Sequence, residues 1–182
     1  MRVISGTAGG LQLKSPKKHA LRPTQDRIRQ VIFSSLAERV PDARVLDLYA
    51  GTGSLGIEAL SRGAAAAVFV EQEPEAAQCI RENLLHCKLA GGEVRAEDVA
   101  AFLRAAPQKK FDLIFADPPY VKSRGALDGD PLLERLPDFL AADGLFVWEH
   151  YAARRLENST RWETIRHRNY GETGLSFIRL IA

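Results

Sequence analysis

Cysteine is scarce in this chain: Cys79 and Cys87 are the only two among 182 residues. No Cys-x-x-Cys pair and no Cys/His ligand set is present, which excludes a disulfide framework and structural zinc and predicts a reduced, cytoplasmic setting. The two thiols stand eight apart on one expected helix and read as buried. His19, His86, His150 and His167 are scattered without metal spacing, so none is given a role and no metal is expected. No apolar run approaches the roughly 18 residues of a membrane span. Met1-Arg2-Val3-Ile4-Ser5-Gly6 has no apolar stretch behind its single positive charge, so neither membrane nor secretory leader is expected. Glycine and proline, at 14 and 9, are too few for a collagen-like or low-complexity chain.

What is present suits one folded unit. The chain is 46% hydrophobic and long enough to bury its own core. No internal repeat, linker or heptad stripe appears, so one domain over 1–182 and a monomer are expected, with a basic hairpin-and-helix extension over 1–43 and a core over 44–182. The net charge of +2 hides an asymmetry. Residues 1–44 hold nine Lys or Arg against three acids, leaving the remainder at −4. A second basic group, Arg154, Arg155, Arg161, Arg166 and Arg168, comes late. Clustered cations of this kind suit a polyanion, because they release counterions from a phosphate backbone.

Residues 2–5 and 11–14 alternate around Gly6 and Gly9-Gly10, as in a hairpin or arm. Thr24 reads as the N-cap of a helix whose apolar stripe is Ile28, Val31, Ile32 and Leu36, with Arg27 and Arg29 pointing off it. Pro41 ends that segment. From Arg44 the pattern alternates: strand 44–50, helix 54–62 closed by Gly63, strand 66–71, helix 74–89, strand 93–96, helix 98–105 and the apolar strand 111–116. Residues 117–130 are irregular. A helix near 131–141, an Asp143-Gly144 turn and a strand over 145–149 follow. Segments 161–168 and 174–181 are joined too closely for a parallel crossover, so they form an antiparallel hairpin. The sum is an α/β doubly wound, mostly parallel, Rossmann-like sheet with a reversed strand at its edge. Trp148 and Trp162 fall within strands and read as packing residues.

The first core strand leads into Asp47-Leu48-Tyr49-Ala50-Gly51-Thr52-Gly53-Ser54-Leu55-Gly56. Gly51, Gly53 and Gly56 match the Gly-x-Gly-x-x-Gly turn between a strand and a helix, the place where such sheets cradle nucleoside cofactors. Glu71, 20 residues beyond Gly51 at the end of the next strand, is placed to bind ribose hydroxyls. This much fits NAD, FAD or S-adenosylmethionine. Asp47 weighs between them: a pyrophosphate would be repelled by it, whereas a sulfonium and an ammonium would be attracted. Two unit charges 5 Å apart interact by about 3 kcal/mol at an effective dielectric of 20. Asp98 suits both an adenine-amine acceptor and a helix N-cap.

The strand 111–116 delivers Asp117-Pro118-Pro119-Tyr120 to the carboxyl edge of the sheet. The lone pair of an exocyclic amine on a base is delocalised into the ring, so methylation needs acceptors that hold both hydrogens and turn the lone pair toward the methyl group. Asp117 offers a side-chain acceptor and Pro118 a carbonyl. The two prolines fix φ and carry no competing N–H, and Tyr120 offers a face for base stacking, worth about 1–3 kcal/mol.

Asp47–Gly56, Glu71, Asp98 and Asp117–Tyr120 resemble the ordered motifs of Rossmann-like, amino-methylating S-adenosylmethionine-dependent methyltransferases. Arg22-Pro23-Thr24 with Asp26, Arg27 and Arg29, the run Leu55–Ala64, and Tyr170-Gly171-Glu172-Thr173 resemble the small-subunit ribosomal RNA guanine-N(2) methyltransferases of the RsmD type. The likeness implies methylation of the 2-amino group of a guanine in 16S ribosomal RNA, within the small subunit or its late precursor. It implies cofactor contacts from Asp47, Tyr49, Ala50, Gly51, Thr52, Gly53, Glu71, Gln72, Asp98 and Val99, and catalysis by Asp117, Pro118, Pro119 and Tyr120. It also implies RNA contacts from Lys14, Lys17, Lys18, Arg22, Thr24, Arg27, Arg29 and Tyr170. Tyr49 stands where the family often has Phe, and Thr7–Gly10 is less basic than the family's usual hairpin. The competing expectations are another amino-methyltransferase, such as one acting on adenine, an NAD-dependent oxidoreductase on the same fold, and a non-enzymatic ribosome assembly factor.

Overall fold

The alternation that begins at Arg44 becomes a seven-stranded sheet in the computed structural model, which describes residues 1–16, 23–119, 125–126, 129–157 and 159–181. Helix α1 (Pro23–Leu36) precedes it. Then come β1 (Arg44–Leu48), α2 (Ser54–Ser61), β2 (Ala66–Val70), α3 (Pro74–His86), β3 (Gly92–Arg95), α4 (Val99–Phe102) and β4 (Phe111–Ala116). The short β5 (Gly125–Ala126), α5 (Pro131–Phe139), β6 (Leu140–Tyr151), the short β7 (Arg154–Arg155), β8 (Trp162–Tyr170) and β9 (Thr173–Leu180) complete the chain. The sheet order is β3-β2-β1-β4-β6-β9-β8, and β5 pairs with β7 in a separate two-stranded ribbon.

The four inner parallel strands, β2, β1, β4 and β6, are largely apolar because both their faces are covered, whereas β3 at the edge is mostly exposed. On one face Ile28, Ile32, Phe33, Ile57 and Ile80, from α1 to α3, pack with Val45, Phe115, Val147 and Phe177. On the other, Val99, Leu132 and Leu136, from α4 and α5, pack with Leu46, Ile114, Phe146 and Trp148. Trp148 and Trp162 are both core residues, and the Trp162 indole N–H donates to the Leu133 carbonyl at 2.8 Å. Both cysteines are free and buried.

Four expectations are corrected. The reversed strand β9 does not lie at the edge; it sits between β6 and β8. Its run Gly174–Ile178 is buried throughout and needs neighbours on both sides, whereas β8 carries Glu163, Arg166, Arg168 and Asn169 to solvent and suits an edge. Strand β6 starts at Leu140, and the Asp143-Gly144 segment is absorbed as a register shift opposite β4. Helix α1 begins at Pro23, so Thr24 lies in its first turn and is not its cap. Arg29 does not point away from the core. It is 3% exposed, its guanidinium donating to the Arg2 carbonyl and to Asp26.

Arg29 thereby helps fasten the N-terminal arm, in which Arg2 and Gln12 form an antiparallel bridge. The fully buried Glu58 of α2 accepts from the backbone N–H of Ile4 at 2.7 Å and of Ser5 at 3.0 Å, and from Arg62 Nε at 2.7 Å. Ser61 Oγ donates to the Ser5 carbonyl and accepts from the Ala8 N–H. Gly6 is required here: a Cβ on it would lie 1.8 Å from the Ser61 carbonyl oxygen. Further along, Asn83 Oδ1 accepts from the Lys14 N–H at 2.8 Å, while Nδ2 donates to the Lys14 and Thr52 carbonyls at 3.1 Å each.

Candidate active site

The three glycines of the first turn have three different jobs. Gly51 has φ +56°, and apart from the Tyr49 carbonyl oxygen at 4.0 Å no atom lies within 4 Å of where its Cβ would be, so the outer side of the turn is open. Gly53 has φ +76° and rests on Ile57 and Ile80. At Gly56 a Cβ would meet the Phe69 ring at 2.3 Å, so glycine lets α2 lie close against β2. The turn is braced from beneath by two carboxylates. Asp47 Oδ2 accepts from the Gly56 N–H at 2.8 Å, and Glu71 accepts from Gly51 at 2.8 Å and Glu73 at 2.9 Å. Asp47 is thus a buried brace under the turn. Burial pushes its carboxyl up to about 8, and the neighbouring Asp117 and Glu71 add to the shift against the opposing Gly56 bond.

Parallel pairing brings the second motif to the same edge. Asp47 pairs in register with Phe115 and Leu48 with Ala116, so β1 and β4 end level and release the glycine turn and Asp117-Pro118-Pro119 side by side. Asp117 and Pro118 are half-buried and Pro119 is exposed; Tyr120 lies outside the described residues. Asp98 caps α4, accepting from the Ala101 N–H at 3.0 Å, with Val99 buried behind it. Tyr49, with φ +58°, stands in the field of both Asp98 and Asp130, and its hydroxyl is raised mainly by burial. Gln72 is exposed beside Glu71, and Ala50 and Thr52 lie within the braced turn.

Sequence reasoning missed the contribution of β6. Its carboxyl end carries Trp148, Glu149, His150 and Tyr151 to this edge. Trp148, His150 and Tyr151 join Tyr49, Pro118 and Pro119 around a cavity of about 260 Å³, closed by Asp130, Leu132 and Arg154. The indole N–H of Trp148 is buried without a partner. His150 Nδ1 donates to the Tyr151 carbonyl at 3.0 Å and Nε2 accepts from Ser176 at 2.8 Å, and burial holds the imidazole neutral, down to about 4. Glu149 is raised well above the usual carboxylate range by burial, then by Asp117 and Asp47. The signal that could have found these residues is topological: a parallel strand beside β4 must end where β4 ends.

A family model described as "Conserved hypothetical protein 95" matches residues 1–179. This chain belongs to that family. It is 35% identical over 190 residues to "Putative rRNA methyltransferase YlbH" of Bacillus subtilis, with 98% of each chain covered. It is 38% identical over 128 residues to "Ribosomal RNA small subunit methyltransferase D" of Escherichia coli K12, covering 70% of this chain and 63% of that one. Among solved structures, "Putative methyltransferase yhhF" from Escherichia coli superposes with a TM-score of 0.84 at 30% identity, covering 100% of this chain and 98% of that one. A hypothetical protein of Thermus thermophilus does so at 0.80 and 33% identity, covering 98% and 99%. The family is of the RsmD type, and the sheet is the Rossmann-like methyltransferase fold.

The basic residues that the RsmD-type resemblance implies for RNA are scattered in role. Lys14 is exposed and paired with Glu82 at 2.8 Å. Arg27 is exposed on α1, whereas Arg29 is buried in the arm's anchor. Tyr170 packs against the first core cluster at the β8–β9 turn; it pairs with Thr173, which pairs with Tyr151, so the turn stands at the active edge. Lys17, Lys18 and Arg22 lie outside the described residues, as does the side chain of Thr24. Of the late arginines, Arg154 faces Asp130 at 3.4 Å and Arg166 donates to Ser35 at 2.6 Å, while Arg155 and Arg168 are exposed. No helix among the described residues is long and apolar enough to cross a membrane, and no group of acids, histidines or cysteines among them could hold a metal ion.

Proposed function

We propose that this chain methylates the 2-amino group of a guanine in 16S ribosomal RNA, in the small subunit or its late precursor in the cytoplasm, using S-adenosylmethionine. The observation that carries the reading is the shared edge: β1 and β4 end in register, so the open glycine turn and the Asp117-Pro118 acceptors stand together. The turn suits this cofactor. Its outer side is open at Gly51, and Asp47 and Glu71 brace it from beneath, a pair of acids that attracts a sulfonium and an ammonium and opposes a pyrophosphate. Glu71 keeps lone pairs that would hold the ribose hydroxyls, and Asp98 and Val99 would hold the adenine ring.

S-adenosylmethionine supplies an electrophilic methyl group. The chain's task is to present the nitrogen. Asp117 accepts one amine hydrogen and the Pro118 carbonyl the other, which turns the lone pair out of the ring plane. The fixed φ of two consecutive prolines keeps those acceptors from swinging away. Holding the reacting atoms about 3–3.5 Å apart then supplies most of the acceleration. A chain of this size reads a ribonucleoprotein surface by shape, and a guanine already unpaired costs least to present.

The test is transfer of labelled methyl to small subunits from cells lacking the enzyme, followed by mass spectrometry of the RNA. Asp117→Ala is expected to lower transfer at least about 100-fold, as when a transition-state acceptor is lost, with cofactor affinity little changed. Full activity in Asp117→Ala, label outside 16S RNA, or NAD binding without S-adenosylmethionine binding would overturn the reading.

A further inference from the structure

Glu149 has no place in the scheme above, yet it stands beside its centre. Strands β4 and β6 pair in parallel with Phe115 opposite Val147 and Ala116 opposite Trp148, so the next step puts Asp117 opposite Glu149. Neighbouring strands lie about 4.8 Å apart, and residues of like parity face the same side. Both carboxyls therefore share the face that carries Asp47. Glu149 is 8% exposed, and no hydrogen bond or ion pair reaches its carboxyl from any described residue. The other buried acids are occupied: Asp47 takes the Gly56 N–H, and Glu71 takes those of Gly51 and Glu73. A buried acid without a donor costs free energy, and that cost is offset only when a donor arrives.

We infer that Glu149 reads the base, accepting the N1–H of the target guanine beside the amine held by Asp117 and Pro118; this rests on the guanine-amine reading above. The Watson–Crick edge of guanine presents N1–H and the 2-amino group next to each other, so two acceptors on adjacent strand ends match two adjacent donors. Adenine presents a lone pair at N1, with which the ionised Glu149 carboxylate, an acceptor only, cannot pair. Glu149 thus selects against adenine by an unmatched pairing, the kind of discrimination that a buried polar contact provides and an apolar pocket cannot.

The test uses small subunits rebuilt with 2-aminopurine at the methylated position. That base keeps the amine but carries a lone pair at N1. Wild-type enzyme should methylate it at least about 100-fold more slowly than guanine. Glu149→Gln, whose amide can turn its NH₂ to that lone pair, should narrow the ratio to about tenfold or less. The narrowing is the readout, because 2-aminopurine also lacks O6. Glutamine matches glutamate in shape and removes a costly buried acid, so the variant should melt no lower than wild type. Calorimetric affinity for S-adenosylmethionine should stay unchanged. An unmoved ratio, or a loss that appears in cofactor affinity alone, overturns the role of Glu149 and leaves the function standing. A wild type that methylates no guanine amine overturns the function and this inference with it.

Discussion

Asp47 and Arg29 show how far a residue's surroundings can change its meaning. As a motif position, Asp47 reads as a charge aimed at a cofactor. In the fold it is a buried acid whose carboxyl is pushed up to about 8. A folded pKa raised above the unfolded one contributes stability that is complete below pH ~4 and is lost as pH rises through about 8. His150, lowered to about 4, acts in the opposite sense and only below its ordinary range, its contribution fading as pH falls from ~6.5 through about 4. The window above ~6.5 therefore belongs to the acids. Asp47→Asn keeps an acceptor for Gly56 without a titrating proton. Its melting temperature should rise relative to wild type as pH goes from ~6.5 to ~9, and thermal scans across that range check this. The same carboxyl should bind a cationic cofactor more tightly as it ionises, so wild-type affinity for S-adenosylmethionine should climb with pH over the same window. Arg29, read from its spacing as a surface cation, ties α1 to the arm. Arg29→Ala should cost about 1–3 kcal/mol in denaturant unfolding, and Arg27→Ala almost nothing.

The elements were legible where period and length agreed. The apolar run 111–116 and the helix opened by Pro74 stand where their patterns place them. The reversed strand was misplaced because a hairpin's two members look alike until burial on both faces separates Gly174–Ile178 from the charged β8. The arm was harder still. Its weak alternation suggests a hairpin free to grip RNA, but its partners, Glu58, Ser61 and Asn83, lie 53 to 69 residues away and carry no local signal. Asn83 joins the arm, α3 and the glycine turn in one side chain. Asn83→Leu should cost about 2–4 kcal/mol, because it strands backbone groups that its amide satisfies, and should weaken cofactor binding through Thr52. Gly56→Ala, which drives a methyl into Phe69, should lose about 1–3 kcal/mol without touching the acceptor loop. Urea melts and calorimetry on the two variants separate these effects.

Across the whole molecule, the two chemical motifs were readable and their surroundings were not. Asp117 and the glycine turn announce themselves by composition, whereas Trp148, Glu149 and His150 matter only because β6 lies next to β4. Charge was readable only in bulk. The excess of cations in the first 44 residues is real, but Arg29 is consumed internally and Lys14 is half-neutralised by Glu82. The exposed Arg27, Arg155 and Arg168 are the better candidates for phosphate. Replacing each with alanine should flatten the salt dependence of ribosomal RNA binding by about one unit of slope or less, with the single-turnover rate at saturation preserved; filter binding across a salt series measures it.

Because the Lys14 peptide docks on an asparagine 69 residues downstream, the opening segment must wait during synthesis for most of α3 to leave the ribosome. Until then the cofactor loop lacks that clasp, so a nascent chain should hold its methyl donor more weakly even with its first two strands in place. An enzyme that methylates ribosomal RNA would thus gain its full grip on the donor only once its third helix has been made.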